Sequence, residues 1–281
     1  MMREWFAYKS LSVISICKGY NLSRQAYYKS KQQHQKTQLE QEKVLMLVRE
    51  CRKLLPREGG RKLYKRLEQD LKAMGLKIGR DKLFDILRMA GMLVRRRRNY
   101  VHTTQSSHRF YIHPNRIRDF IPTSVYQLWV CDITYIRTKE GFMFLALITD
   151  AYSRKIVGYD ISDSLELEGC LRALKMALKL LPKDYELIHH SDRGIQYCSY
   201  EYTDLLKENN INISMASKGN CYENAMAERV NGILKQEFYL DETFLSKQQA
   251  TKACKQAIWL YNQIRFHENI DYMTPEQKHA A

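Results

Sequence analysis

Apolar positions recur along this chain with two different periods, and the change of period falls near its middle. From Lys43 to Gly91 the spacing is helical. Val44, Leu47 and Val48 form one stripe, Leu63, Leu67 and Leu71 a second, and beyond a stop at Gly75, Leu83, Ile86 and Leu87 line a third. Arg80-Asp81-Lys82 opens that third helix, the position from which DNA-reading helices make their contacts. Upstream, Leu11, Ile14 and Cys17 share a face, Gly19 can turn the chain, and Ser23 can cap a second helix. Leu11–Tyr28 therefore reads as a small helix-turn-helix with Arg24, Gln25 and Lys29 facing outward. Lys31–Gln41 is polar, rich in Gln and without period, so a connector is expected there.

The second half alternates strands and helices. Strands are expected over Leu128–Ile136, Phe142–Asp150 and Lys155–Asp160, with Lys139-Glu140-Gly141 turning the first pair. An amphipathic helix, Leu165–Leu181, is stopped by Pro182. It is followed by a strand at Glu186–His190, a helix at Tyr200–Asn209 and a strand at Ile211–Met215. Two helices, Tyr222–Leu240 and Lys247–Gln263, close the pattern. The pattern predicts an α/β fold with a mixed five-stranded sheet and flanking helices, preceded by an all-α region. Boundaries are expected to give a helix-turn-helix-like segment at 1–35, a helical DNA-binding domain at 42–98, a linker at 99–122 and a core at 123–281.

Charge sharpens this division. Residues 1–125 carry 28 Lys or Arg against 10 acids, whereas 126–281 carry 18 against 21. Basicity confined to one half implies a dedicated polyanion-binding module, with DNA the leading partner. Four consecutive arginines, Arg95, Arg96, Arg97 and Arg98, cannot share one helical face and read as an arm along phosphates or a minor groove. The seven cysteines are odd in number and form no CxxC pair, which argues for reduced thiols and against a disulfide framework or a zinc knuckle. MMREWFAYKS has no continuous apolar run and no stretch approaches a membrane span, so neither a signal peptide nor a membrane partner is expected. A cytoplasmic, nucleoid-associated bacterial protein is the corresponding expectation.

The chemistry concentrates in three acids. Asp132 lies inside the apolar run Leu128–Ile136, where a carboxylate is costly unless something pairs with it. Asp192 follows the strand that delivers His190-Ser191-Asp192-Arg193-Gly194, and Glu228 stands on a helix, with thirty-five residues between the two. On that helix Asn224, Glu228, Asn231 and Lys235 fall in one polar row, opposite Met226, Val230 and Ile233. A divalent metal is the economical partner for converging carboxylates, which would otherwise repel and raise one another's pKa. Asp150 reads as a turn or pairing residue, His190 as either tuning or structural, Arg193 and Gly194 as shaping the loop, and Lys218-Gly219-Asn220 as a turn.

The runs WVCDITYI, HHSDRGIQY, KGNCYENAMAERVNGILKQE and YNQIRFHENIDYMTP resemble, in order, the DDE transposase and retroviral-integrase superfamily. Within it they resemble the second reading-frame product of insertion-sequence transposases of the IS-three family. The likeness extends over roughly residues 120–276. The resemblance implies a ribonuclease-H-like core in which Asp132, Asp192 and Glu228 hold two Mg²⁺ (or Mn²⁺) ions. It implies nicking beside element ends by water and strand transfer by the freed 3′-hydroxyl into target DNA. Lys235, Asn231, Asn224, Arg24, Arg80 and the arginine run are the expected DNA contacts, and Tyr261, Arg265 and His267, in the tail motif, are expected to pack and to touch DNA. Homo-oligomeric assembly on DNA is implied, as is dependence on the upstream-frame helix-turn-helix and zipper product. The chain departs from the family at Glu223, Phe266 and Cys131. Rival readings are a plain metal-dependent nuclease on the same core, which leaves the basic modules unexplained, and a non-catalytic DNA-binding regulator, against which the intact acids speak. A tyrosine recombinase is disfavoured, since the tyrosines lie in no convincing Arg/His/Tyr constellation.

Overall fold

A computed structural model describes residues 12–94, 109–182, 185–217 and 224–281. The arginine arm at Arg95–Arg98, the turn at Lys218–Asn220 and Glu223 lie outside the described residues. Two compact units divide the chain: one comprises residues up to 51 together with 63–93, and the other comprises 52–62 together with 94–281.

The smaller unit is helical. Helix α1 spans Val13–Gly19, α2 Arg24–Leu54, α3 Gly60–Ala73 and α4 Arg80–Met89. The three stripes meet as expected, since Val44, Val48, Leu63, Leu67, Leu71, Leu83, Ile86 and Leu87 form one core. Gly75, at φ 68°, takes the left-handed conformation that ends α3, and Leu76 N–H returns to the Leu71 carbonyl. One expectation fails. The connector at Lys31–Gln41 is helical, and α2 runs through it unbroken for 31 residues. Gln, Lys and Glu are good helix formers, and a missing apolar stripe signals a solvated helix as readily as a loop.

The larger unit is a three-layer α/β structure. Strands β1 (Leu128–Thr138), β2 (Gly141–Asp150) and β3 (Ile156–Ser162) form an antiparallel meander, while β4 (Ile188–Ser191) and β5 (Asn212–Met215) run parallel to β1. The sheet order is β3-β2-β1-β4-β5. Helices α5 (Leu167–Leu178), α6 (Ile195–Cys198) and α7 (Tyr200–Glu208) pack one face through Cys170, Ala173, Leu174, Tyr202 and Leu206. Helices α8 (Ala225–Glu237) and α9 (Lys247–Gln263) pack the other through Val230, Ile233, Leu234, Cys254 and Ile258. Because both faces are covered, β2 reads as the continuous apolar run FMFLALIT, with Leu145 and Leu147 on one side and Ala146 and Ile148 on the other. A 3-10 turn, Glu268–Ile270, leads to α10 (Pro275–Ala280). No helix among the described residues is long and apolar enough to cross a membrane.

Helix α5 approaches β3 closely at Gly158, where a Cβ would stand 2.2 Å from the Ala173 carbonyl oxygen and 2.9 Å from Ala177 Cβ. Both obstacles belong to a helix that cannot shift without opening its own core. Gly158→Ala should therefore cost about 3 kcal/mol, at the upper end of overpacking penalties, and lower the melting temperature by about 6–12 °C. A thermal melt followed by circular dichroism checks this, and an unchanged midpoint would show that α5 can slide.

Candidate active site

Strand register explains why two distant aspartates become neighbours. Trp129 and Val130 on β1 pair in parallel with His189 and His190 on β4, so Asp132, inside β1, and Asp192, one residue past the end of β4, stand at the same level. Alternation along β1 sends Trp129 and Cys131 to the α5 side, while Leu128 and Val130 pack towards Ala227 on α8. Asp132 follows the second set. Its Oδ2 accepts a 2.7 Å hydrogen bond from Asn231 Nδ2 on α8, and its Oδ1 accepts one of 2.9 Å from the Ile133 N–H. Asp192 Oδ1 accepts from the Gly194 N–H at 2.9 Å. A Cβ on Gly194 would sit 3.0 Å from that same oxygen, so the loop depends on glycine at this point. The Arg193 guanidinium bonds the Ala216 carbonyl at 2.7 Å, as a loop-shaping residue should.

The electrostatics are those of crowded acids. Burial, then the negative charge of Asp192, and lastly that of Glu228 push the Asp132 carboxyl up to about 7, against the two hydrogen bonds that favour its ionised form. Glu228 is exposed, in the first turn of α8. Two aspartates thus stand together with the glutamate in electrostatic reach. Among the described residues, however, no three His, Cys, Asp or Glu side chains are gathered closely enough to enclose a metal ion.

Beneath Asp132 the side chains are buried. Cys131 Sγ and Tyr202 Oη lie 2.8 and 2.9 Å from His189 Nε2, all fully buried. Burial, reinforced by His190, pushes His189 down to about 3, so it is neutral at ordinary pH. His190 is likewise buried, with Nδ1 2.9 Å from Ser214 Oγ, and is structural. Asp150 is buried at the end of β2 and accepts from the Ser153 and Tyr126 N–H groups and Ser153 Oγ, the turn role expected of it. The six cysteines among the described residues are free thiols.

Several expected DNA contacts are placed differently. Asn231 and Asn224, expected to touch DNA, are only 6% and 5% exposed; the first holds Asp132 and the second donates to the Cys131 carbonyl at 3.3 Å, so the two amides of the polar row face β1. Lys235 is not a fully exposed lysine. It is partly buried, and burial lowers its pKa while the Asp132 charge acts to raise it. Tyr261, Arg265 and His267 are interior residues without a DNA-facing role. Arg265 instead forms a two-pronged ion pair with Glu237 at 2.9 and 2.8 Å, and Lys62 meets the same carboxylate at 2.8 Å. Nothing in the spacing of residues 62, 237 and 265 signals that triad. Arg24 and Arg80 remain exposed, at the first positions of α2 and α4 in the helical unit, Arg80 bonding its neighbour Asp81.

Comparison with known proteins fits this geometry. Two family profiles, each described as an integrase core domain, match residues 122–221 and 209–275. The "Insertion element IS600 uncharacterized 31 kDa protein" of Shigella sonnei is 33% identical over 264 residues, covering 92% of this chain and 96% of that one. "Transposase InsF for insertion sequence IS3" of Escherichia coli O111:H- is 33% identical over 214 residues, covering 75% of this chain and 74% of that one. Among solved structures, the HTLV-2 integrase catalytic core domain in complex with magnesium aligns at 23% identity and TM-score 0.45, over 56% of this chain and 98% of that one. A simian T-cell lymphotropic virus intasome aligns at 18% identity and TM-score 0.49, over 79% and 75%. On the strength of the sequence relatives, the chain belongs to the IS3 family of insertion-sequence transposases, polynucleotidyl transferases that carry out DNA transposition through an integrase core.

Proposed function

We propose that Asp132, Asp192 and Glu228 are the catalytic acids of this transposase and that they hold divalent cations, two Mg²⁺ or Mn²⁺ ions. The observation that carries the reading is the register of β1 and β4, which sets Asp132 and Asp192 at one level, with the Glu228 charge reaching Asp132. The donor set fits: hard carboxylate oxygens suit such ions, and a carboxyl pushed up by its acidic neighbours is one that a cation would relieve. When bound, the cations would supply activation of the attacking oxygen and stabilisation of the leaving one in an in-line phosphodiester displacement.

The chain's own residues supply the positioning. Asn231 locks the orientation of the Asp132 carboxylate, and the Gly194 N–H does the same for Asp192. Glu228, exposed on α8, completes the set by side-chain motion when the ligand arrives. In this reading water is the first nucleophile beside an element end, and the freed 3′-hydroxyl is the second. The chain acts as a homo-oligomer on paired ends, together with or fused to the upstream-frame product, and Arg24, Arg80 and the arginine run contact DNA. Manganese titration followed by electron paramagnetic resonance tests the site directly. Tight Mn²⁺ binding that disappears in Asp192→Asn is the expected result, and equal binding by that variant would remove Asp192 from the site.

Lys235 grips a substrate phosphate in this scheme. It stands seven residues past Glu228, roughly 10 Å along the helix at about 1.5 Å per residue, too far to bind the same ions. Lys235→Ala should weaken DNA binding and reduce its salt dependence by one phosphate, a slope change of about 0.9. Binding isotherms across a salt series measure it. An unchanged slope would leave Lys235 a packing residue of α8.

A further inference from the structure

One cavity of about 400 Å³ lies outside the acidic site, where the β2–β3 turn, the segment before β1 and the chain after α9 meet. Its volume is in the range of small-ligand sites. The wall is chemically split. Arg154 and Lys278 supply positive charge, Asp271 supplies an acceptor carboxylate, and Phe120, Tyr152 and Met226 supply apolar and aromatic surface.

Arg154 is the unusual member. It is held at φ 69°, sparsely populated for a residue with a side chain, by a turn in which its N–H bonds the Asp150 carbonyl at 2.9 Å. Its guanidinium is half-buried, and burial lowers its pKa. Among the described residues its side chain donates only to the Met226 thioether, a weak acceptor, and forms no ion pair. A guanidinium with five donors in such a place is matched by an oxyanion. Lys278 adds a second charge while lying 4.5 Å from the Tyr152 ring centroid. The Asp271 carboxylate has no place in a site for a bare anion, but it can accept from the amino group of a base.

We infer that this cavity receives a single unpaired nucleotide of the DNA strand being processed, its phosphate on Arg154 and Lys278 and its base among Phe120, Tyr152 and Asp271. The inference rests on the DNA-processing reading above. Position agrees with it. Asp150, adjoining Ala151 in the cavity wall, pairs with Trp129, three residues and so about 10 Å along β1 from Asp132 at ~3.3 Å per strand residue. Met226 in its wall shares the first turn of α8 with Glu228, on the other side of that helix. A nucleotide displaced from the duplex beside the cleavage point is thus within reach, and aromatic walls are what hold unpaired bases elsewhere.

The test uses the full chain and a forked DNA duplex carrying 5-iodocytosine in its unpaired arm. Illumination followed by peptide mapping should place the adduct on Tyr152 or Phe120. Arg154→Gln should cut the yield about tenfold, the loss of a charge-assisted hydrogen bond, and 5-iodouracil, lacking the amino group, should cross-link less than 5-iodocytosine. Adducts found only elsewhere, or a yield unmoved by Arg154→Gln, would overturn the pocket. If that variant does not fold, Lys278→Gln takes its place, and an unmoved yield there overturns it equally. Failure of the duplex to bind the unaltered chain at all would overturn the DNA-processing reading and the pocket together. Binding with adducts only elsewhere would overturn the pocket alone.

Discussion

Asp132→Asn should abolish magnesium-dependent nicking and strand transfer, by at least about 10³-fold, while DNA binding survives. The magnitude follows from the several kcal/mol that cations contribute to such displacements, at 1.36 kcal/mol for each tenfold in rate. Asp192→Asn and Glu228→Gln should match it, because a shared ion shell fails when any donor is lost and such effects do not add. The binding surface is spared because the basic residues are concentrated in the first 125 positions. Folding is spared too. The Asp132 carboxyl, pushed up to about 7 by burial, Asp192 and Glu228, is held at a cost in the metal-free fold above pH 4, and the amide removes that cost. The metal-free variant should therefore melt no lower than the parent at pH 8. Robust cleavage by any of the three variants, or cleavage in the presence of a chelator, would remove that residue from the catalytic set.

How far these residues were legible beforehand depended on whether their signal is local. Strand and helix positions in the larger unit were readable because each element carries its own period, and α9 was predicted at its observed bounds, Lys247–Gln263. Asp132 and Asp192 stood out as acids at apolar strands, although only the parallel register of β1 and β4 brings them level. The polar row on α8 reads as one functional face, yet its members divide: the two amides are buried against β1, Glu228 is exposed and Lys235 is partly buried. Periodicity groups Asn224, Glu228, Asn231 and Lys235 without saying that β1 presents an acid and a carbonyl for the two amides to meet. The continuous α2 escaped for the opposite reason, since a helix solvated on nearly all sides leaves no apolar stripe to read. Arg154 carries no signal of its own in the sequence, four residues after Asp150. Its cavity is assembled from segments a hundred residues apart in the chain.

The same limit hid the ion triad that anchors the end of α8, and its disruption should give the largest loss of stability. Glu237, in the last turn of α8, takes both prongs of Arg265 and the ammonium of Lys62, whose side chains are only 5% and 10% exposed. Burial pushes the Glu237 carboxyl up, but hydrogen bonding and charge from Arg265, with help from Lys62, bring it below its ordinary value. Burial and the Arg265 charge lower the Lys62 ammonium more than Glu237 and Glu58 restore it, so two cations crowd the Glu237 carboxylate in a poorly solvated place. Glu237→Gln would remove the carboxylate that both cations touch and should cost about 3–5 kcal/mol, a fall in melting temperature of about 6–20 °C. Arg265→Met leaves Glu237 paired with Lys62 and should cost less. The order follows from charge balance, since one change takes the touching carboxylate from two buried cations and the other leaves an ion pair in place. A pH series separates this from lost packing. A carboxyl whose folded pKa is depressed contributes stability that is present above its unfolded pKa and is lost as the pH falls below about 4.3. The gap between parent and Glu237→Gln should therefore narrow on acidification through that range. A gap that stays constant with pH, or Arg265→Met as the more damaging change, would show that packing around Arg265, and not its charge, holds the end of α8.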